Sequence, residues 1–219
     1  MITADDFQCA IFDLDGTLAD SNSVWEKIDR IYAQKYNIRV SDKEISDMAA
    51  MTYEECFEFI KKKKPDFSGS VEDIKSEFNK MAVSEYRFSV LLKPGAKEFL
   101  TYLRYKGKKT ALATASPREL YEPVLRHNGV YKLFDAFCTT GEAGREKDFP
   151  DVYLLAAEKT GTPPDECAVF EDRLNGIISA SKAGMYTIGV YDKYSGEDSV
   201  TMRSIADRFI MDFSEMLIS

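Results

Sequence analysis

Short, uniformly apolar runs recur along the chain at wide intervals, at residues 9–12, 110–113, 136–139, 168–170 and 187–190, with a weaker one at 208–211. Runs of this length without polar alternation predict strands covered on both faces. Between most of them the pattern changes to a helical period. Residues 94–105 place Ala96, Phe99, Leu100 and Leu103 on one side, and residues 152–159 and 174–183 behave similarly. Strand–helix alternation over residues 91–219 predicts an α/β fold, a parallel sheet with helices on both faces.

Residues 22–90 break this rhythm and read as helices without an intervening strand. Trp25, Ile28, Tyr32 and Tyr36 follow helical spacing, and Asn37 suits a left-handed stop. Ser41-x-x-Glu44 and Thr52-x-x-Glu55 are capping boxes, Ser70-x-x-Asp73 is a near match, and residues 65–70 form a turn between two of the helices. So long a helical stretch exceeds an ordinary connection and predicts an inserted all-α cap. The expected division is a core of residues 1–20 and 91–219 with a cap of residues 21–90.

Composition narrows the function. The 219 residues carry a formal net charge of −8, which opposes general binding to nucleic acid or an anionic membrane. The run Lys61–Lys64 is an exception that suits a solvated helix C-terminus, where the dipole favours cations. Cys9, Cys56, Cys138 and Cys167 form no CxxC pair, and most lie among apolar neighbours, as expected of a reduced, cytoplasmic protein. The acidic N-terminus carries no signal-peptide pattern, and the nine-residue uncharged stretch at 183–191 falls short of the roughly 20 residues a membrane span needs.

In open parallel sheets ligands bind outside the carboxyl ends of the strands, so the residues that follow each strand carry the chemistry. After the first strand come Asp13, Asp15, Gly16 and Thr17. After the second comes Thr114-Ala115-Ser116, with Ser116-Pro117-Arg118-Glu119 reading as a capping box that opens a helix. Lys147 precedes another helix start at residues 148–151, and Glu171-Asp172 follows the fourth strand. Four carboxylates at one rim repel unless a hard divalent cation with oxygen ligands joins them. Mg²⁺ suits such a set and leaves room for phosphate. Lys147, Thr114 and a helix N-terminus complement the phosphate's charge.

Phe12-Asp13-Leu14-Asp15-Gly16-Thr17-Leu18, the threonine after strand two, the lysine before the next helix and Glu171-Asp172 together resemble the four signatures of the haloacid dehalogenase-like superfamily. The cap and chain length are similar to its β-phosphoglucomutase-like phosphatases. The resemblance implies a Rossmann-like three-layer core with a mostly parallel sheet. It also implies a Mg²⁺-dependent phosphomonoester hydrolase that works through an aspartyl-phosphate. Asp13 would be the nucleophile and Asp15 the general acid and base. The cation would be held by Asp13, the Asp15 carbonyl and Asp172, with Glu171 helping directly or through water. Thr114, Ala115 and Lys147 would bind the transferring phosphoryl group.

Two features depart from the pattern. Asp148 follows Lys147 where the family commonly has proline, which brings Arg145 in as a second candidate cation. Trp25 and Tyr53 stand where β-phosphoglucomutases carry a cap histidine and a cap arginine, and the sole histidine, His127, ends a core helix. Phosphatase activity is therefore favoured over a phosphomutase. Against it, Thr114-Ala115-Ser116 is closer to the mutase type than the commoner phosphatase motif. A dehalogenase would not need Asp15, and a receiver-like phospho-acceptor module is shorter and carries its aspartate after a middle strand. Trp25 and Tyr53 are the cap's candidate substrate contacts. The expected partner is a small phosphorylated metabolite, a sugar phosphate among the options, bound by a monomer with neither nucleic acid nor membrane.

Overall fold

The computed structural model describes residues 2–48 and 51–217. The chain forms two compact units, Met1–Asp20 with Leu91–Ser219, and Ser21–Val90.

The larger unit is built on β1 (Cys9–Phe12), α5 (Ala96–Tyr105), β2 (Lys109–Thr114), α6 (Arg118–His127), β3 (Ala136–Thr139), α7 (Thr140–Ala143), α8 (Asp151–Thr160), β4 (Cys167–Glu171), α9 (Leu174–Lys182), β5 (Tyr186–Val190), α10 (Gly196–Ile205) and β6 (Arg208–Ile210). The strands line up as β3-β2-β1-β4-β5-β6, and every neighbouring pair is parallel. The sheet is thus wound outward in both directions from β1, which pairs with β2 and β4. In register, Phe12 lies beside Leu112 and Phe170. The residues just after β1 and β4 therefore emerge side by side.

Because successive side chains on a strand alternate between faces, β1 serves two cores at once. Cys9 and Ile11 join Ala111, Ala113, Val169 and the α8 residues Tyr153 and Ala156 on one side. Phe12 stacks on Phe170 at 4.7 Å on the other, with Phe99 of α5 and Phe213 at 6.2 and 6.0 Å. All four β1 side chains are buried, the reason the run shows no polar alternation. The four cysteines are free and buried. No helix among the described residues is long and apolar enough to cross a membrane.

The helical unit holds α1 (Asn22–Lys35), α2 (Asp42–Met48), α3 (Tyr53–Lys63) and α4 (Val71–Phe88). The expected caps are present. Thr52 and Ser70 each accept the N–H three residues on and donate their own backbone N–H to that residue's carboxylate, and Ser41 and Glu44 exchange the same pair. Asn37 is left-handed at φ 54° and closes the turn after α1. The lysine run occupies the last turn of α3. Tyr32, fully buried, packs edge-on against Phe78 at 5.0 Å and near Tyr36 and Phe67, so the unit has an aromatic core of its own.

Candidate active site

The first strand ends in a tight loop. Gly16, at φ 80°, lets the chain fold back so that its N–H donates to the Ala19 carbonyl, while the Thr17 and Ala19 N–H groups both reach Leu14 O. A residue with a Cβ is strained at that φ, which explains glycine between Asp15 and Thr17. The loop holds Asp13 at the strand tip, and its N–H donates to Phe170 O of β4.

Asp13, Glu171 and Asp172 converge there, each buried, with carboxylate oxygens within 4.8 Å of one another. Lys147, only 9% exposed, donates to Asp13 Oδ1 and to Glu171 Oε1, the latter at 2.6 Å. Glu171 is held by three donors. Its Oε1 also accepts from Tyr153 OH at 2.9 Å, and its Oε2 takes the Arg173 N–H at 2.9 Å. Asp172 accepts from Thr17 Oγ1 at 2.9 Å, and Ser195, after β5, donates to the Asp172 carbonyl at 2.7 Å. Asp13 and Asp172 therefore keep oxygen lone pairs that protein donors do not fill.

Electrostatics mark the cluster as short of positive charge. Burial pushes the Asp13 carboxyl well above its usual range; the Lys147 ammonium opposes this, and Glu171, Asp172 and Asp15 reinforce it. Burial, then repulsion from Glu171, pushes Asp172 up to about 7. Lys147 shows the reverse. Burial works against its charge, yet Asp13 and Glu171 outweigh burial and raise its pKa. Three buried carboxylates face a single ammonium, and their hard oxygen donors fit an added divalent cation of the Mg²⁺ type.

The other expected residues fall as follows. Asp15 is held by Ser116, whose hydroxyl donates to Asp15 Oδ2 at 2.6 Å. That bond corrects the expected capping box at Ser116-x-x-Glu119. Helix α6 begins at Arg118 with Pro117 as its N-cap and no side-chain cap, because the Ser116 hydroxyl is committed to the carboxylate instead. Thr114 ends β2 fully buried, its Oγ1 accepting the Ser116 N–H at 3.0 Å, and Ala115 is exposed between them. Arg145 lies against the Phe149 ring at 3.9 Å, while the cluster's ammonium comes from Lys147. Trp25 and Tyr53 are on the helical unit, where both line one cavity. The sequence places Tyr53 at the end of a turn that begins at Ala49, of which Ala49 and Ala50 lie outside the described residues.

Tyr153, Ser195 and Gly176 were not singled out by sequence. Tyr153 reads as one more apolar position on α8, and only the fold aims its hydroxyl at Glu171. Ser195 follows β5, so the strand-end rule applied to every strand would have reached it. Gly176 has the sharpest requirement. A Cβ there would lie 2.6 Å from both Glu171 Cδ and Tyr153 OH, two groups held by hydrogen bonds. Gly176→Ala is therefore expected to displace Glu171 and destabilise the protein by about 1–3 kcal/mol. A denaturant midpoint equal to wild type would remove this account of the glycine.

A parallel sheet wound outward from its first strand, with an aspartate pair just after that strand, a lysine, and an acidic pair at the next strand tip, defines an α/β protein with a carboxylate–lysine centre. The chain belongs to the haloacid dehalogenase-like hydrolase family, whose model matches residues 7–184. Among known proteins it is 28% identical over 191 residues to hexitol phosphatase B of Escherichia coli K12, covering 87% of this chain and 86% of that protein. It is also 28% identical over 185 residues to a phosphorylated carbohydrates phosphatase of Thermotoga maritima, covering 83% of each. The fold is similar to that of CbbY from Rhodobacter sphaeroides, solved in complex with phosphate, at TM-score 0.78, 22% identity and 96% coverage of both chains.

Proposed function

We propose that this chain is a Mg²⁺-dependent phosphomonoesterase acting on a small phosphorylated metabolite of the sugar phosphate class. The observation that carries the reading is Asp13: a buried carboxylate at the tip of the central strand, shared with Lys147 and beside Asp172. The phosphatase names of two relatives that align over most of this chain support it.

In this reading Asp13 attacks phosphorus. A bond forms from its carboxylate oxygen to phosphorus as the bond to the substrate's ester oxygen breaks. Asp15, oriented by Ser116, gives its proton to the departing alkoxide. Asp15 then takes a proton from the water that attacks the aspartyl-phosphate, which frees phosphate and regenerates Asp13. Lys147 holds the Asp13 carboxylate in place and offsets charge on the phosphoryl oxygens. Thr114 and Ala115 contribute the hydroxyl and backbone that cradle those oxygens. Asp13, Asp172 and the Asp15 carbonyl would hold the cation, which supplies charge compensation for the phosphoryl group. With its oxygens already taken by Lys147, Tyr153 and Arg173, Glu171 acts chiefly to anchor Lys147.

Residues 21–90 serve in this reading as a substrate-selecting cap, and the protein works as a monomer in the cytoplasm. The test is steady-state hydrolysis of an aryl phosphate and of a panel of sugar phosphates with Mg²⁺. Chelation is expected to lower turnover about 100-fold or more, with recovery on adding Mg²⁺ back. No turnover of any phosphate monoester, or a rate indifferent to chelation, would overturn the reading.

A further inference from the structure

The helical unit encloses a cavity of about 270 Å³, near the lower end for small-molecule pockets. Its walls are Trp25 of α1, Tyr53 of α3 and Phe78 of α4, with the thioethers of Met48 and Met51 beside them. The Tyr53 and Phe78 rings meet edge-on at 6.1 Å. Into this apolar space the fold puts one charge-bearing side chain, Asp29. It is 2% exposed, and its Oδ1 is buried without a hydrogen-bond partner.

A buried carboxylate with no cation opposite is costly to keep, and a helical bundle gains nothing from it. Burial, with Glu26 adding repulsion, pushes the Asp29 carboxyl up to about 7, so charge is held there at a cost near neutral pH. Two of the other polar groups on the cavity wall are already engaged. Thr52 Oγ1 accepts the Glu55 N–H, and Tyr53 OH donates to Asn79. A polyol would find few partners here. An organic cation would find aromatic faces and a carboxylate, the combination that recognises ammonium groups.

We propose that this cavity binds a small organic ammonium ligand, with Asp29 as the counter-ion and Trp25, Tyr53 and Phe78 as its aromatic walls. The inference goes beyond the phosphatase reading and stands on the helical unit alone. Asp29 is a specificity residue in this account and takes no part in the chemistry.

Trp25 is the sole tryptophan, so its fluorescence reports the cavity directly. Full-length protein is titrated with glucosamine and with glucose, which differ only in an ammonium for a hydroxyl. The amine is expected to bind at least 10-fold more tightly. Equal responses, or none to either sugar, would overturn the proposal whether or not the protein hydrolyses phosphate esters. Asp29→Asn is expected to erase the preference for the amine and to melt no lower than wild type, since it removes an unpaired buried charge. A preference kept in Asp29→Asn would also overturn the proposal. If that variant fails to fold, the wild-type titrations decide. Absence of aryl phosphate turnover by wild type would instead strike at the phosphatase reading, and the fluorescence result would still stand by itself.

Discussion

Asp13→Asn is expected to cut hydrolysis of an aryl phosphate by about 10³-fold or more while the protein keeps its fold. Asparagine preserves the shape of the side chain and can still face Lys147 through its carbonyl oxygen. It carries no nucleophilic charge, so no phosphorus–oxygen bond forms and the first half-reaction stops. The substitution also removes a carboxylate that burial and the neighbouring carboxylates already push away from the charged form. Thermal midpoint should therefore stay level or rise, a pairing of lost activity with retained stability that separates a chemical role from a structural one. Steady-state kinetics and a melting curve on the same preparation make the check. Residual turnover above about 1% of wild type would remove Asp13 as the nucleophile.

Lys147→Met carries the second large effect, and it falls on stability as well as rate. Methionine follows the lysine stem but leaves Asp13 and Glu171 without the ammonium that both accept from. Removing one partner of a buried ion pair costs about 3–5 kcal/mol, which for a chain of this length is roughly 10 °C in melting temperature. The sign with pH follows from the folded state. Without Lys147 the buried carboxyls hold protons more tightly than in the unfolded chain, so the variant's deficit is smallest in acid and grows towards neutral pH. Added Mg²⁺ is expected to recover part of the lost midpoint, since it restores positive charge to the cluster. A variant as stable as wild type at pH 8, with normal kcat, would rule out Lys147 as the cluster's counter-charge.

The two variants also separate parts of the site that the motif reading merges. Asp13 is asked for chemistry and Lys147 for charge balance, and Glu171 joins them by gripping Lys147 from the far side. Ser116 illustrates the same point. Its spacing to Glu119 satisfies a local capping rule, yet the hydroxyl donates to the Asp15 carboxyl instead, and the cap is lost.

Much of the architecture was legible beforehand. Strands buried on both faces leave unbroken apolar runs, and β1 and β3 match the expected spans in full. The other strands differ by one or two residues at their ends. Helix starts were legible where a side chain caps its own backbone, as at Ser41, Thr52 and Ser70, because that bond depends on residues three apart. The residues of the acidic rim could be collected because winding order decides which strand tips adjoin. Tyr153 on Glu171, the space denied at Gly176 and the unpartnered oxygen of Asp29 had no such signature. Each pairs groups well separated along the chain or depends on the shape of a cavity. The amino-acid pattern by itself determined the sheet, the helical insertion and the carboxylates that gather at the strand ends, since these follow from periodicity and local bonds. Only the tertiary structure decided which donors the rim carboxylates receive and left the buried Asp29 Oδ1 without one, since that depends on distances between elements that no local pattern encodes.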